Sequence, residues 1–100
     1  MSIVVLGVNY HTSPVTLLEK VMIPVPAMSE ALRALSSHSD IREVVVLSTC
    51  NRTEVYAVAE RFHGAHADIL EFLCETSGLS AEEITPHLYS QFDDDAVVHL

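Results

Sequence analysis

The chain has 100 residues, enough for one small domain with a single core and too few for a cofactor domain beside a substrate domain. Hydrophobic residues make up 49% and charged residues 19%, with 3 Gly and 4 Pro, which excludes a disordered tail, a collagen-like repeat or a low-complexity linker. Fourteen acidic against five basic residues give a net charge of −9, so a broad basic face for a polyanion is excluded. No apolar run approaches the roughly 20 residues of a membrane span, and Met1-Ser2-Ile3 lacks the basic start of a signal peptide. The expected setting is the reducing cytoplasm, with Cys50 and Cys74 both free thiols.

Ile3-Val4-Val5-Leu6-Gly7-Val8 is a β-branched apolar run and predicts a buried strand. His11-Thr12-Ser13-Pro14 breaks it, and Ser13 is expected to cap a short helix with Pro14 at its first position. Leu17, Leu18 and Val21 supply that helix's apolar side, and Pro24 and Pro26 end it. Met28, Leu32 and Leu35 recur at helical spacing, so a second helix is predicted over Ala27 to Ser37.

Ile41 to Ser48 is apolar on both faces at Val44-Val45-Val46-Leu47, which predicts a central strand. Thr53 to Glu60 alternates, with Val55, Ala57 and Ala59 against Tyr56, Val58 and Glu60. The polar connector Thr49-Cys50-Asn51-Arg52 makes the two a hairpin, without the usual Asn-Gly turn. Ala65 to Thr76 reads as a helix with Ile69, Leu70, Leu73 and Cys74 inward, stopped by Gly78. Ser80-Ala81-Glu82-Glu83 is a capping box opening one turn that Pro86 ends. His87 to Phe92 is a last strand. Asp93, Asp94 and Asp95 then mark a helix start, because carboxylates suit the positive end of the helix dipole.

The expected fold is α+β, a ferredoxin-like split βαβ in the order β-α-β-β-α-β. Its antiparallel four-stranded sheet carries helices on one face. The first strand is expected beside the strand ending at Cys50. The last helix shows only two turns, which suggests a fragment of a longer protein.

Cys50 is the sharpest chemical candidate: it stands at a strand end, with Arg52 two residues on to favour the thiolate. Arg52 can alternatively hold a substrate carboxylate in a bidentate fork, and a small buried cysteine closing a hairpin is the plain alternative. His99 follows Asp95 by one helical turn and can serve a reacting carbonyl if the fold brings it near. His63, His66, Asp68 and Cys74 complete no zinc pattern, so no metal is expected. Gly7, Gly64 and Gly78 are too far apart for a phosphate-cradling loop.

Three blocks carry a family resemblance. They are Gly7-Val8-Asn9-Tyr10-His11-Thr12-Ser13-Pro14-Val15 with Glu19-Lys20, then Glu43 to Tyr56 around Ser48-Thr49-Cys50-Asn51-Arg52-Thr53-Glu54, and Ala96-Val97-Val98-His99-Leu100. Together the chain resembles the N-terminal catalytic domain of glutamyl-tRNA reductases over essentially its whole length. The resemblance implies that Cys50 attacks the glutamyl ester of glutamyl-tRNA and forms a thioester. The full-length enzyme then reduces that thioester with NADPH to glutamate-1-semialdehyde, in tetrapyrrole (haem and chlorophyll) biosynthesis. It implies Thr49, Cys50, Asn51 and Arg52 as substrate-binding residues, with Arg52 facing the substrate carboxylate, and His99 as a second catalytic residue. It also implies NADPH-binding and dimerisation domains beyond residues 1–100, a homodimer, and channelling of product to glutamate-1-semialdehyde aminomutase. The proline-broken segment Val21 to Pro26 departs from the family pattern. The acidic balance implies that any grip on tRNA lies mostly outside these residues. The competing reading is a non-catalytic ferredoxin-like interaction or ligand-binding module with an inert Cys50.

Overall fold

The computed structural model describes residues 2–99, without the side chains of Val97 and His99. The strands are β1 (Ser2–Asn9), β2 (Ile41–Ser48), β3 (Arg52–Ala59) and β4 (Tyr89–Phe92). The helices are α1 (Val15–Val21), α2 (Met28–Ser36), α3 (Phe62–Ser77), α4 (Ala81–Ile84) and α5 (Asp94–His99). Short 3-10 turns at Val25–Ala27 and Thr85–His87 precede α2 and follow α4. All strand pairs are antiparallel and the sheet order is β2-β3-β1-β4, as a split βαβ arrangement requires.

The order corrects two expectations. β2 is an edge strand, not a central one, and Val45 is 60% exposed. Its apolar run reads as buried on two faces, yet only Val44 and Val46 pack on the core. β1 lies beside β3, the strand that follows Cys50, and not beside β2. The crossover through α1 and α2 leaves a gap between β1 and β2 that the hairpin partner β3 fills.

The core lies on one sheet face. Val4, Leu6 and Val8 of β1 and Val55, Ala57 and Ala59 of β3 meet Leu17, Leu18 and Val21 of α1, Leu35 of α2, and Ile69, Phe72 and Leu73 of α3. Leu32, expected inward, is only half-buried, while Ala31 takes the buried position on α2. α3 begins three residues before the expected start, and its buried Phe72 was not foreseen. It ends as expected: Gly78 adopts φ 76°, and its N–H caps the Cys74 carbonyl. The Ser80–Glu83 capping box forms with both reciprocal bonds.

Ser13 does not cap α1. Pro14 holds the cap position without a side-chain bond, and Ser13 is buried with its hydroxyl against that of Thr12. Asp93 does not extend α5. It takes a left-handed φ of 53°, donates its N–H to the Ile3 carbonyl and accepts the Ile3 N–H. That clip turns the chain onto the second sheet face, where Ala96 of α5 packs on Val5 and Tyr56. α1, α2 and α3 therefore share one face as expected, while α5 covers part of the other.

Candidate functional site

The β2–β3 connection is a four-residue turn with Cys50 and Asn51 at its tip. The Thr49 N–H donates to the Arg52 carbonyl at 2.8 Å. Two-residue hairpin loops usually need positive φ, but neither tip residue has it. The Thr49 hydroxyl compensates by accepting the Asn51 N–H at 3.2 Å. Cys50 is exposed, and its thiol lies 3.8 Å from Asn51 Oδ1.

Two neighbours hold this turn. The Tyr10 N–H donates to the Asn51 carbonyl at 3.0 Å, joining the turn to the loop after β1. Asn9 organises that loop: its Oδ1 accepts the N–H groups of His11 and Thr12, and its own N–H donates to Thr12 Oγ1. His87 Nδ1 lies 2.9 Å from the Thr12 carbonyl, which can only accept, so Nδ1 carries the proton. On the other side the Ile23 N–H donates to Ser48 Oγ at 2.8 Å, and that hydroxyl bonds Thr53 Oγ1 at 2.8 Å. The two loops meet through the β1–β3 pairing. The rigidity of the turn comes from these bonds, since the strand before Cys50 is an edge.

Thr49, Cys50, Asn51 and Arg52 thus stand together. The Arg52 guanidinium engages Glu54, with Nη1 3.8 Å from Oε1. His99 is the last residue of α5, on the sheet face that also carries Arg52, and its side chain lies outside the described residues.

A polar cluster that the sequence reading did not single out lies beneath Arg52. Arg52, Glu54 and Tyr56 alternate along β3 and share the second face. Glu54 is fully buried. It accepts the Tyr56 hydroxyl at 3.0 Å and also the Tyr89 hydroxyl of β4. Burial first, then the bond to the Glu54 carboxylate, pushes Tyr56 up to about 12. The same two causes push Tyr89 higher still, against a lowering by Asn9. Gly7 makes room for the cluster: a Cβ there would stand 2.8 Å from Glu54 Cγ and 2.9 Å from the Tyr89 hydroxyl. A charged residue inside the well-patterned strand Thr53 to Glu60 was the available signal.

Cys74 packs at the margin of the core, and burial, then Glu71 and Glu75, push its thiol up. His63 and His66 sit against the Phe62 ring, and burial, then His63, lowers His66. Among the described residues no group of three or more His, Cys, Asp or Glu could hold a metal ion, and no helix is long and apolar enough to cross a membrane.

Residues 6–100 match the family model described as the glutamyl-tRNAGlu reductase N-terminal domain. A glutamyl-tRNA reductase of Prochlorococcus marinus (strain MIT 9215) is 45% identical over 100 residues, all of this chain and 23% of that protein. One from Frankia alni is 43% identical, again over this whole chain and 21% of the relative. The solved glutamyl-tRNA reductase from Methanopyrus kandleri matches with a TM-score of 0.65 and 26% identity, over 97% of this chain and 20% of that one. The chain spans between a fifth and a quarter of the length of the curated relatives it matches. With the turn around Cys50 inside the matched region, the chain belongs to the family of glutamyl-tRNA reductase N-terminal domains.

Proposed function

We propose that these residues form the catalytic, glutamyl-binding domain of a glutamyl-tRNA reductase and that Cys50 is its nucleophile. The observation that carries this is an exposed cysteine at the tip of a turn pinned from both sides, in a chain of this family. The Cys50 thiolate attacks the ester carbonyl carbon of glutamyl-tRNA. A carbon–sulfur bond forms, the carbon–oxygen bond to the terminal ribose breaks, and the ribose oxygen leaves carrying the proton that the Cys50 thiol gave up. The product is a glutamyl thioester, which accepts a hydride more readily than the ester does. Arg52, half-exposed, offers its guanidinium to the free side-chain carboxylate of the glutamyl group, and Glu54 steadies it. Thr49 and Asn51, on either side of Cys50 in the turn, supply further contacts to the glutamyl group. His99 orients or polarises the reacting group from α5.

The residues here do not fit NADPH. Gly7 is packed inside β1, Gly64 stands in α3 and Gly78 caps that helix, so none opens a phosphate-cradling turn. We assign NADPH binding, reduction to glutamate-1-semialdehyde and dimerisation to the further length the relatives have. The wider reading is a cytoplasmic homodimer in tetrapyrrole biosynthesis whose product passes to glutamate-1-semialdehyde aminomutase.

Intact-mass analysis after a short incubation with glutamyl-tRNA tests the core of this proposal. A glutamyl adduct on the native chain, absent from Cys50→Ser, is expected. If the native chain and a full-length relative both stay unmodified, the nucleophile assignment fails. An inert Cys50 that alkylates no faster than Cys74 at neutral pH would favour a non-catalytic binding module instead.

A further inference from the structure

Away from the Cys50 turn, α2 and α3 enclose a groove of about 300 Å³. Its floor is apolar and buried: Ile23, Ala31 and Phe72 are each under 8% exposed. Met22, 41% exposed, stands at its mouth. Glu30 on α2 and Glu75 on α3 line it, and no lysine or arginine does. Among the described residues neither carboxylate forms a salt bridge. The volume is at the bottom of the range for small-molecule sites, roughly 300–1,000 Å³. It suits one or two apolar side chains better than a cofactor.

We propose that this groove docks a short segment of a partner protein that carries an apolar anchor flanked by lysine or arginine. The anchor fills the space over Ile23, Ala31 and Phe72, and the flanking cations meet Glu30 and Glu75. The chain's net charge of −9 attracts such a segment and repels an acidic one. A flexible thioether at the mouth adapts to more than one anchor shape.

The groove also touches the proposed reaction. Ile23 forms part of its floor, and the Ile23 N–H holds Ser48, two residues before Cys50. A segment pressing on residues 22–24 therefore acts on the hairpin that carries Cys50. This consequence, unlike the docking itself, rests on Cys50 being the nucleophile.

The test is an amide-resolved NMR titration with a synthetic peptide, two leucines one helical turn apart and flanked by lysines, beside its glutamate-flanked counterpart. Saturable shifts are expected at Ala31, Ala34, Phe72 and Thr76 with the basic peptide only. Glu30→Lys with Glu75→Lys is expected to weaken binding by about tenfold or more, because like charges then face each other. Glu19→Lys with Glu82→Lys, exposed positions that line no part of the groove, changes net charge equally and is expected to leave affinity within about threefold. Equal weakening by both pairs, shifts centred elsewhere, or no saturable shift would overturn the proposal. Bound peptide is also expected to change the rate at which iodoacetamide modifies Cys50, and to lose that effect in Ser48→Ala. An unchanged rate would sever the groove from the hairpin. Docking is read from amide shifts and does not need a nucleophilic Cys50, so its failure and that of the proposed reaction are separable.

Discussion

The two faces of the sheet use the same strands for opposite ends. On the helix-covered face, β1 and β3 present a mainly aliphatic surface, Val4, Leu6 and Val8 beside Val55, Ala57 and Ala59, with the Thr53 hydroxyl bonded to Ser48 at its end. On the other face of β3 the chemistry inverts, while β1 still contributes Val5 to a small apolar contact with Ala96. Gly7, Glu54, Tyr56 and Tyr89 build a buried polar cluster, and Arg52 stands above it near the Cys50 turn. The first face holds the fold by removing apolar surface from water. The second buries a carboxylate, which is tolerable only because donors surround it. Apolar burial is concentrated on one face, and the charged and hydroxyl groups on the other.

That contrast can be broken at points of decreasing force. Leu6→Ala empties a fully buried position on the aliphatic face, and is expected to cost roughly 2–5 kcal/mol in chemical denaturation. It should leave the Arg52 region's chemistry unchanged in any fraction that stays folded. Gly7→Ala attacks the other face of the same strand. Its Cβ would crowd Glu54 Cγ, the Thr53 carbonyl and the Tyr89 hydroxyl, each within 2.9 Å, for an expected cost of about 1–3 kcal/mol. If Gly7→Ala proves neutral, the polar cluster is looser than the packing implies.

Tyr89→Phe removes one donor to Glu54 without adding volume, and an expected loss of about 1–3 kcal/mol follows from an under-satisfied buried acceptor. The cluster also has a pH signature. The folded pKa of Tyr56 is raised from 10.0 to about 12, so the unfolded chain gives up that proton first. Its stabilising contribution is fully present below pH 10 and is lost as pH climbs through about 12. Thermal melts across that window should fall more steeply for the native chain than for Tyr56→Phe.

The smallest expected effect lies on the helix side. Burial lowers the His66 pKa below 6.5, so the unfolded chain binds the extra proton first as pH falls. Stability from His66 is present above pH 6.5 and fades below it, and His66→Gln should flatten the melting profile there. An unchanged profile would mean that another group carries the acid dependence.

What was legible in the residues follows distance along the chain. Gly78, the Ser80–Glu83 box and the division of β3 side chains between two faces depend on neighbours a few positions away, and each appears as expected, although both faces of β3 are buried. Ser13 failed as a cap because its loop found a stronger local solution: the Asn9 side chain collects the N–H groups of His11 and Thr12. The apolar run of β2 misled because hydrophobicity at Val45 records no partner. An edge strand can expose a valine that in a central strand would be buried. Within the site, Thr49 to Arg52 are contiguous and were read together. Tyr89 reaches Glu54 from 35 residues away, and no local pattern announces that bond.

The sequence by itself therefore determined the element order, the split βαβ class and the Cys50 turn with its family. Periodicity, caps and contiguous motifs are short-range properties that a linear reading contains. Tertiary structure alone decided which strand is the edge, how the loop after β1 reaches Asn51, and that Glu54 is buried between two tyrosines. Those outcomes depend on pairing and burial between distant segments, where the cost of an unsatisfied polar group selects the neighbours.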